Sequence, residues 1–574
     1  MVPLSLMAVL ACGWTWAQNS NQQVQTWTNL EVSDPVTPAV FNGDVRDLPL
    51  ADEWQPGQAI KEIPRRHNNR DLGNIPTPIP KVDSLLEIQE RAVLSTDRAF
   101  GDLIFDRDGQ GFTGVNPPDT VGDIGPNYYI QAINASGGAT FVIYDKVTEA
   151  VVAGPTKIDS LGTGSCAVGA GDPIVQYDWL ADRWILSEFS GSANALCIYV
   201  SQTSDPVAGG WFNYQFNTPN FPDYPKYGVW PTAIFVGTNE ASSALYALDR
   251  VSMLAGMPAT SIRFPVADLA GFGFQMIQPA DLDGFTPPPG GEPGIFMRHR
   301  DDEAHNVGSN DPTKDFLEIF TFNPGTPFGT GAGITGPMTI DIAEIDSHLC
   351  GFFTFSCLSQ PSGVNNLDPL REVVMHRLQY RNFGTHETLV GCLVTDVDGT
   401  DHAGTRWFEL RRTGRGAGWV LHQEGTYSID GDNRWMGSIA MDQQGNIAMG
   451  YNVGSSSTFP SIRYVGRTFD HLPLGEMNLP EVTAIAGSAS NGSIRYGDYS
   501  SLNVDPDDDC TFWFTGEYNA ASAWSTRIFS FRFDNCGGIP ACGDMKDLLD
   551  RFPMWPTSIN VLGLVSCFNE IPVP

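Results

Sequence analysis

Basic residues are the first shortage in this chain: 33 Lys and Arg stand against 66 Asp and Glu in 574 residues, a formal charge of −33. A chain this acidic is repelled by phosphate backbones and anionic lipid, which excludes nucleic acid as a partner. Solubility outside the cell is the plain use of such a charge. Long apolar runs are missing too, since past the N-terminus no stretch reaches the roughly 20 residues of a membrane-spanning helix. Runs of Ala, Leu, Glu and Lys are scarce, which argues against a helical or α/β protein. Catalytic and metal signatures readable from spacing are also lacking. The sequence has no Gly-x-Ser-x-Gly, no His-Glu-x-x-His, no phosphate-cradling loop, and no Cys/His spacing that would hold zinc.

What is present is turn chemistry and aromatics: 60 Gly, 41 Pro and 11% Phe, Trp and Tyr. That balance suits many short strands joined by tight turns. The opening "MVPLSLMAVLACGWTWAQNS" reads as a secretion signal over residues 1–17, with Ala17 at the cleavage point. "VLAC", ending at Cys12, offers a lipid-anchored alternative. Either way the chain is expected outside the cell or on its surface, where cysteines pair. Of ten cysteines, nine lie beyond the signal. Strand neighbours suggest Cys166–Cys197, Cys350–Cys357, Cys510–Cys536 and Cys542–Cys567, with Cys392 free in a buried strand.

Residues 18–97 carry scattered Pro, Asn and charge, as in "IPRRHNNRDLGNIPTPIPKVD". They read as an extended leader that wraps a body or is partly disordered, with one short helix in "SLLEIQERAVL". From 98 to 536 one pattern returns. "GDPIVQYDWLADRWILSEF", "NRWMGSIAMDQQGNIAMGYN" and "YGDYSSLNVDPDDDCTFWFTGEY" are each a strand, a polar turn and a second strand, followed by one or two more strands. Four weaker copies fit around them, giving seven units. Radial repetition of four-stranded sheets is how a β-propeller protects its edges. The fold expectation is therefore all-β, a seven-bladed β-propeller, with six or eight blades as variants and two β-sandwiches as the competing architecture. The last unit is one strand short, and "DLIFD" (102–106) is expected to supply it. Residues 537–574 form a short C-terminal appendage.

The same motifs, with "NPPDTVGDIGPNYYIQAIN" and "FPDYPKYGVWP", resemble an uncharacterised family of secreted bacterial β-propeller proteins. The resemblance covers most of 98–535 and implies the fold and export, with no catalytic assignment. More distantly the grammar is similar to that of sialidase-type, Asp-box propellers, although "SIDGDNRW" and "SDPVAGGW" depart from the box.

In a propeller, the starts of the innermost strands and the loops joining second to third strands share one rim. That rim collects Asp119, Asp123, Asp172, Asp223, Asp432 and Asp498 from strand starts, and Asp301, Asp302, Glu303 and Glu517 from loops. Tyr224, Lys226, Arg300, Arg434, Arg495, Tyr496 and Tyr499 join them. A concave polar mouth is the default ligand site, here for an extracellular glycan or protein. The plain alternative for each Asp is fastening a turn through its own backbone. The alternative function is a glycoside hydrolase of sialidase-like organisation. It needs two rim carboxyls, or Tyr496 or Tyr499 with Glu517, and a convergence of Arg300, Arg434 and Arg495. "RHRDDEAH" (298–305) could hold a cation. "DRDGQG" (106–111) and "DVDGTD" (396–401) echo calcium loops without the twelve-residue pattern, so Ca2+ is the one cofactor the sequence admits. "THE" (385–387) falls on the opposite rim and reads as structural.

Overall fold

The computed structural model describes residues 24–65, 82–271, 273–305, 310–351, 354–362, 365–414 and 416–536. The signal, the C-terminal appendage and the Cys542–Cys567 pairing lie outside these residues. Strand after strand is buried along its whole length, as in Ile234–Asn239 and Asn433–Met441. Burial on both faces means that each sheet is packed between two others, so apolar side chains point both ways.

Among the described residues the strands group into antiparallel four-stranded units, seven by their pairing, with the fourth and fifth joined in one continuous sheet. Their innermost strands are Val121–Ile124, Gly169–Asp178, Asp223–Val229, Gln278–Asp283, Leu378–Asn382, Asn433–Met441 and Ser501–Val504. Each packs beside the next and the last returns to the first, which closes a β-propeller ring. Between the fourth and fifth units the contact becomes a parallel pairing, with Ala280 opposite Leu378.

Side chains staple neighbouring inner strands through backbone N–H groups. Asp123 accepts from Tyr177 (2.7 Å), Asp281 from Val229 (2.8 Å) and Gln379 from Met441 (2.7 Å). Ser438 accepts from Leu502 (2.9 Å), and Ser501 from Gly122 (2.9 Å), across the ring closure. Asp123 is thus a fastening residue, not a ligand group at the mouth. Burial pushes its carboxyl up to about 8.

The leader wraps the ring. Strands Gln25–Trp27, Glu31–Val32 and Ala39–Phe41 add to the outer edges of the fourth, third and second units in turn. Leu50 then bridges to Thr156 in the first unit. Past the undescribed 66–81, Asp83 meets Arg406 of the fifth unit and helix Leu86–Glu90 lies inside the expected segment. Strand Phe105–Gly111 completes the seventh unit beside Ser525–Phe531. It begins three residues past the start of "DLIFD", so "DRDGQG" is a strand and not a calcium loop. Its Asp106 and Asp108 pair with Arg527 across the ladder.

Three disulfides form as expected, Cys166–Cys197, Cys350–Cys357 and Cys510–Cys536, and Cys392 is free and buried. Disulfides persist in oxidising compartments, consistent with an extracellular protein. Among the described residues no helix is long and apolar enough to cross a membrane.

Candidate functional site

Where the inner strands meet the channel mouth, the backbone departs from regular strand. Asp119 (φ 48°), Asp172 (φ 52°), Tyr224 (φ 50°), Met436 (φ 49°) and Asp498 (φ 61°) all adopt the left-handed conformation. Asp172, Tyr224 and Met436 sit where the pairing register slips, as at β-bulges. A bulge re-aims a side chain, and non-glycine residues in this region concentrate where the surrounding structure forces them. The same device recurs in the first, second, third, sixth and seventh units, and it brings three acids together at one place.

The Asp172 carboxyl lies beside that of Asp119 and adds to the rise in its proton affinity. The Tyr499 hydroxyl donates to Asp172 Oδ2 at 2.6 Å. The Lys226 ammonium lies over the Tyr499 ring at 3.0 Å and the Tyr224 ring at 3.5 Å from their centroids. Tyr224 and Tyr499 meet edge to face at 5.1 Å, and the Tyr224 hydroxyl donates to the Asp498 carbonyl at 3.1 Å. Arg495 forms an ion pair with Asp498. Asp119 Oδ1, Asp498 Oδ1 and Arg495 Nε and Nη1 are buried without a hydrogen-bond partner among the described residues. Unmet polar atoms at such depth are costly unless something else completes them.

Burial and crowding shift the protonation of these groups. Burial raises the Asp119 carboxyl well above its ordinary value, and Asp172 and Asp498 raise it further. Burial lifts Asp498 to about 6 against the opposing pull of Arg495. Lys226 falls to about 7 because burial outweighs the attraction of Asp172, Asp119 and Asp498. The Tyr499 hydroxyl is pushed well up by burial and by Asp172. The result is a protonated acid beside a second carboxyl, with an amine poised near neutrality.

Two further elements roof the mouth, and the sequence reading missed both. Residues 344–377, inserted between the fourth and fifth units, supply Asp368 and Glu372. The leader supplies Arg65, whose Nη1 donates to both oxygens of Asp368 (2.6 and 2.7 Å) and whose Nη2 pairs with Glu372. Neither segment has strand periodicity. Only the density of charge in "IPRR" and "LDPLRE" could have marked them.

Apart from Asp223, whose charge also acts on Lys226, the other expected residues are engaged elsewhere. Asp223 accepts from Asn239 Nδ2 at 3.1 Å, beside Lys226 in its own strand. Arg300 pairs with Glu318 at 3.1 Å, and Arg434 with Glu481 and Asp430, each at 2.9 Å. With Arg495 on Asp498, each arginine is matched to its own acid, so the three-arginine convergence is not assembled. Tyr496 packs on Trp435 at 5.4 Å, and its hydroxyl donates to the Glu517 backbone carbonyl at 3.4 Å. The Glu517 side chain accepts the Gly497 N–H at 2.6 Å, and burial raises it well above its ordinary value. That arrangement is not a tyrosine nucleophile activated by a carboxylate.

Asp301, Glu303 and Asp315 each offer an oxygen within 4.8 Å of the others, a group that could hold a metal ion. Two of the three are already engaged by the chain. Asp301 accepts from Ala304 N (2.8 Å) and from Ser347 N and Oγ (3.0 and 2.8 Å). Asp315 accepts from Asp302 N and Ile345 N, both at 2.8 Å. In "DVDGTD" the Asp396 carboxylate accepts from Gly399 and Asp401 N–H groups, each at 2.9 Å, and so fastens its own turn.

At the opposite end of the channel a cavity of about 280 Å³ is lined by Tyr177, Trp179, Asp182, Asp283, Phe285 and Asp509. Asp182 accepts from the Tyr177 hydroxyl at 2.7 Å, and the other acids here are ion-paired. Arg377 binds Asp281 (2.8 Å) and Asp283, and Arg381 binds Asp509 at 2.6 Å.

No family model matches the chain, and no curated protein is found similar to it. Solved structures with likeness include an endo-arabinase from Bacteroides thetaiotaomicron, 12% identical over 53% of this chain and 95% of that one, with a TM-score of 0.25. A PL25 ulvan lyase, of a new polysaccharide lyase family, is 11% identical over 74% and 95%, with a TM-score of 0.38. The α-L-arabinofuranosidase Arb93A from Fusarium graminearum is 9% identical over 76% and 96%, with a TM-score of 0.32. At such identities and scores no residue role passes from those proteins to this chain.

Proposed function

We propose that this is an exported protein that engages an extracellular glycan at its channel mouth, and that the Asp119–Asp172 pair acts there as an acid–base unit. The observation that carries the reading is that pair: two buried carboxyls side by side, Asp119 with its proton affinity raised by burial and by Asp172, the Tyr499 hydroxyl on Asp172, and Lys226 over the Tyr499 ring. Perturbed groups grouped in this way mark sites of proton transfer more often than sites of simple packing. A hydroxyl-rich ligand also suits the unmet oxygens of Asp119 and Asp498 and the unmet nitrogens of Arg495, because each sugar hydroxyl both donates and accepts.

The pair does not serve as the two opposed carboxyls of a glycosidase, which stand about 5–9.5 Å apart across the scissile bond. Asp119 and Asp172 lie side by side, so they supply one proton donor between them.

The test is a panel of neutral and uronate-containing polysaccharides incubated with the full chain. Released reducing ends and unsaturated uronate are the readouts, with a glycan array for binding without turnover. Activity or binding that Asp172→Asn abolishes supports the proposal. A panel and array that stay silent, or a response that Asp172→Asn leaves intact, counts against it. A calcium titration with and without Asp315→Asn separates any contribution of the Asp301–Glu303–Asp315 group.

A further inference from the structure

The strap that crosses the mouth is anchored on both sides. Lys61–Glu62 pairs in parallel with Val115–Asn116. Glu62 accepts from Asn116 Nδ2 at 2.7 Å and from Ser493 Oγ at 2.6 Å, beside the first and seventh units. Three residues later Arg65 is buried on the inserted segment, its fork gripped by Asp368 and Glu372. Its guanidinium lies between two aromatic faces, 5.0 Å from the Phe274 centroid and 4.9 Å from that of Phe355. Phe274 in turn packs on Tyr224 at 5.1 Å, and Tyr224 carries Lys226 on its ring. Arg65 therefore sits one aromatic layer above the acid–base cluster.

Two carboxylates and two aromatic faces meet the two terminal nitrogens and the plane of the Arg65 guanidinium, while its Nε has no partner among the described residues and Arg371 shares Glu372 and Phe355. Burial alone would lower the proton affinity of Arg65, yet Asp368 and Glu372 overcome it and raise it, so the nest is built for a charged fork. Its components come from distant parts of the chain: a loop before the fourth unit, the inserted segment and the leader. A surface ion pair would need none of this enclosure.

We infer that Asp368, Glu372, Phe274 and Phe355 form a guanidinium-binding site, filled in this chain by its own Arg65, and that residues 61–65 are an internal ligand closing the channel mouth. The first half stands on the nest alone. The second rests on the reading of the mouth as a ligand site, since closure has meaning only if something enters there.

The test uses the full chain with Arg65→Ala and, as probes, methylguanidine and methylammonium. Saturable binding of methylguanidine to Arg65→Ala by calorimetry, with none to the parent protein and none to Arg65→Ala/Asp368→Asn, is the expected result. Methylammonium, lacking the planar fork, should bind about tenfold more weakly or not at all. A folded Arg65→Ala chain that ignores methylguanidine overturns the site. If Arg65→Ala unfolds, recovery of its circular dichroism by methylguanidine supports the site, and failure to recover overturns it. Closure is read separately, by acylating the amine of Lys226 with a small reagent and mapping the product by mass spectrometry. Acylation about tenfold faster in Arg65→Ala than in the parent, slowed again by methylguanidine, is expected if the strap limits access. Equal rates leave the guanidinium site standing and overturn closure. Neither readout uses a glycan, so failure of the glycan proposal shows elsewhere.

Discussion

The two ends of the channel are both rich in acid, yet they solve the problem of buried charge in opposite ways. At the far end three carboxylates meet arginines, Asp281 and Asp283 meeting Arg377 and Asp509 meeting Arg381, while Asp182 takes the Tyr177 hydroxyl. At the mouth, acids from three units face a single lysine and one arginine, and the excess is handled by protonation. The far end neutralises Asp281, Asp283 and Asp509 with matched arginines, although Trp179 Nε1 and Arg381 Nε find no partner among the described residues. The mouth gathers more carboxyls than matched cations and raises the proton affinity of Asp119, which is the difference between a structural network and a candidate site.

The comparison can be broken most forcefully at the far end. Arg377→Ala leaves Asp281 and Asp283 without their cation, and urea unfolding should show a loss of about 3–5 kcal/mol. A loss below about 1 kcal/mol would mean that the far network is not structural.

Next in size is a pH effect. Asp123, Asp315, Asp346 and Asp442 are raised by burial to about 8, 9, 7 and 7. A group raised in the folded state stabilises it at low pH and loses that contribution as pH climbs through the folded value. Lys226, lowered to about 7, acts in the opposite sense above that pH. Four acids outweigh one lysine, so the thermal midpoint should fall between about pH 6.5 and pH 9. Asp123→Asn should flatten the slope. A midpoint that rises over this range would contradict the assignment.

Tyr499→Phe comes third. It removes the hydroxyl from Asp172 and should cost about 1–2 kcal/mol, read by denaturation. The smallest stability effect belongs to Asp119→Asn, because an amide has nearly the shape of a protonated acid. A change within about 1 kcal/mol, together with loss of any glycan response, is expected.

The ring was legible in the sequence because its hairpins repeat one grammar. Alternating strands flank turns such as Asp178–Asp182 and Asp442–Asn446, and the cysteine pairs follow from strands that become neighbours. Asp119, Asp172, Tyr224, Lys226, Asp498 and Tyr499 were legible as a group for the same reason: ring geometry gathers the starts of inner strands. Arg300 was misplaced because Glu318 on the adjacent strand claims it, and Arg434 because Asp430, four residues before it, and Glu481, just before the outermost strand of its unit, claim it. Register decides such pairing, and spacing along the chain does not reveal it. Arg65, Asp368 and Glu372 escaped because the segments that carry them have no period, and because their partners lie some 300 residues away in sequence.

The central claim is that a proton resides on the Asp119–Asp172 pair at neutral pH. Infrared difference spectroscopy between the parent protein and Asp119→Asn, at neutral pH with aspartate labelled at the side-chain carboxyl, measures this directly. The account predicts that the substitution removes one protonated-carboxyl band and leaves the ionised-carboxylate bands unchanged. Loss of an ionised-carboxylate band in its place would contradict it.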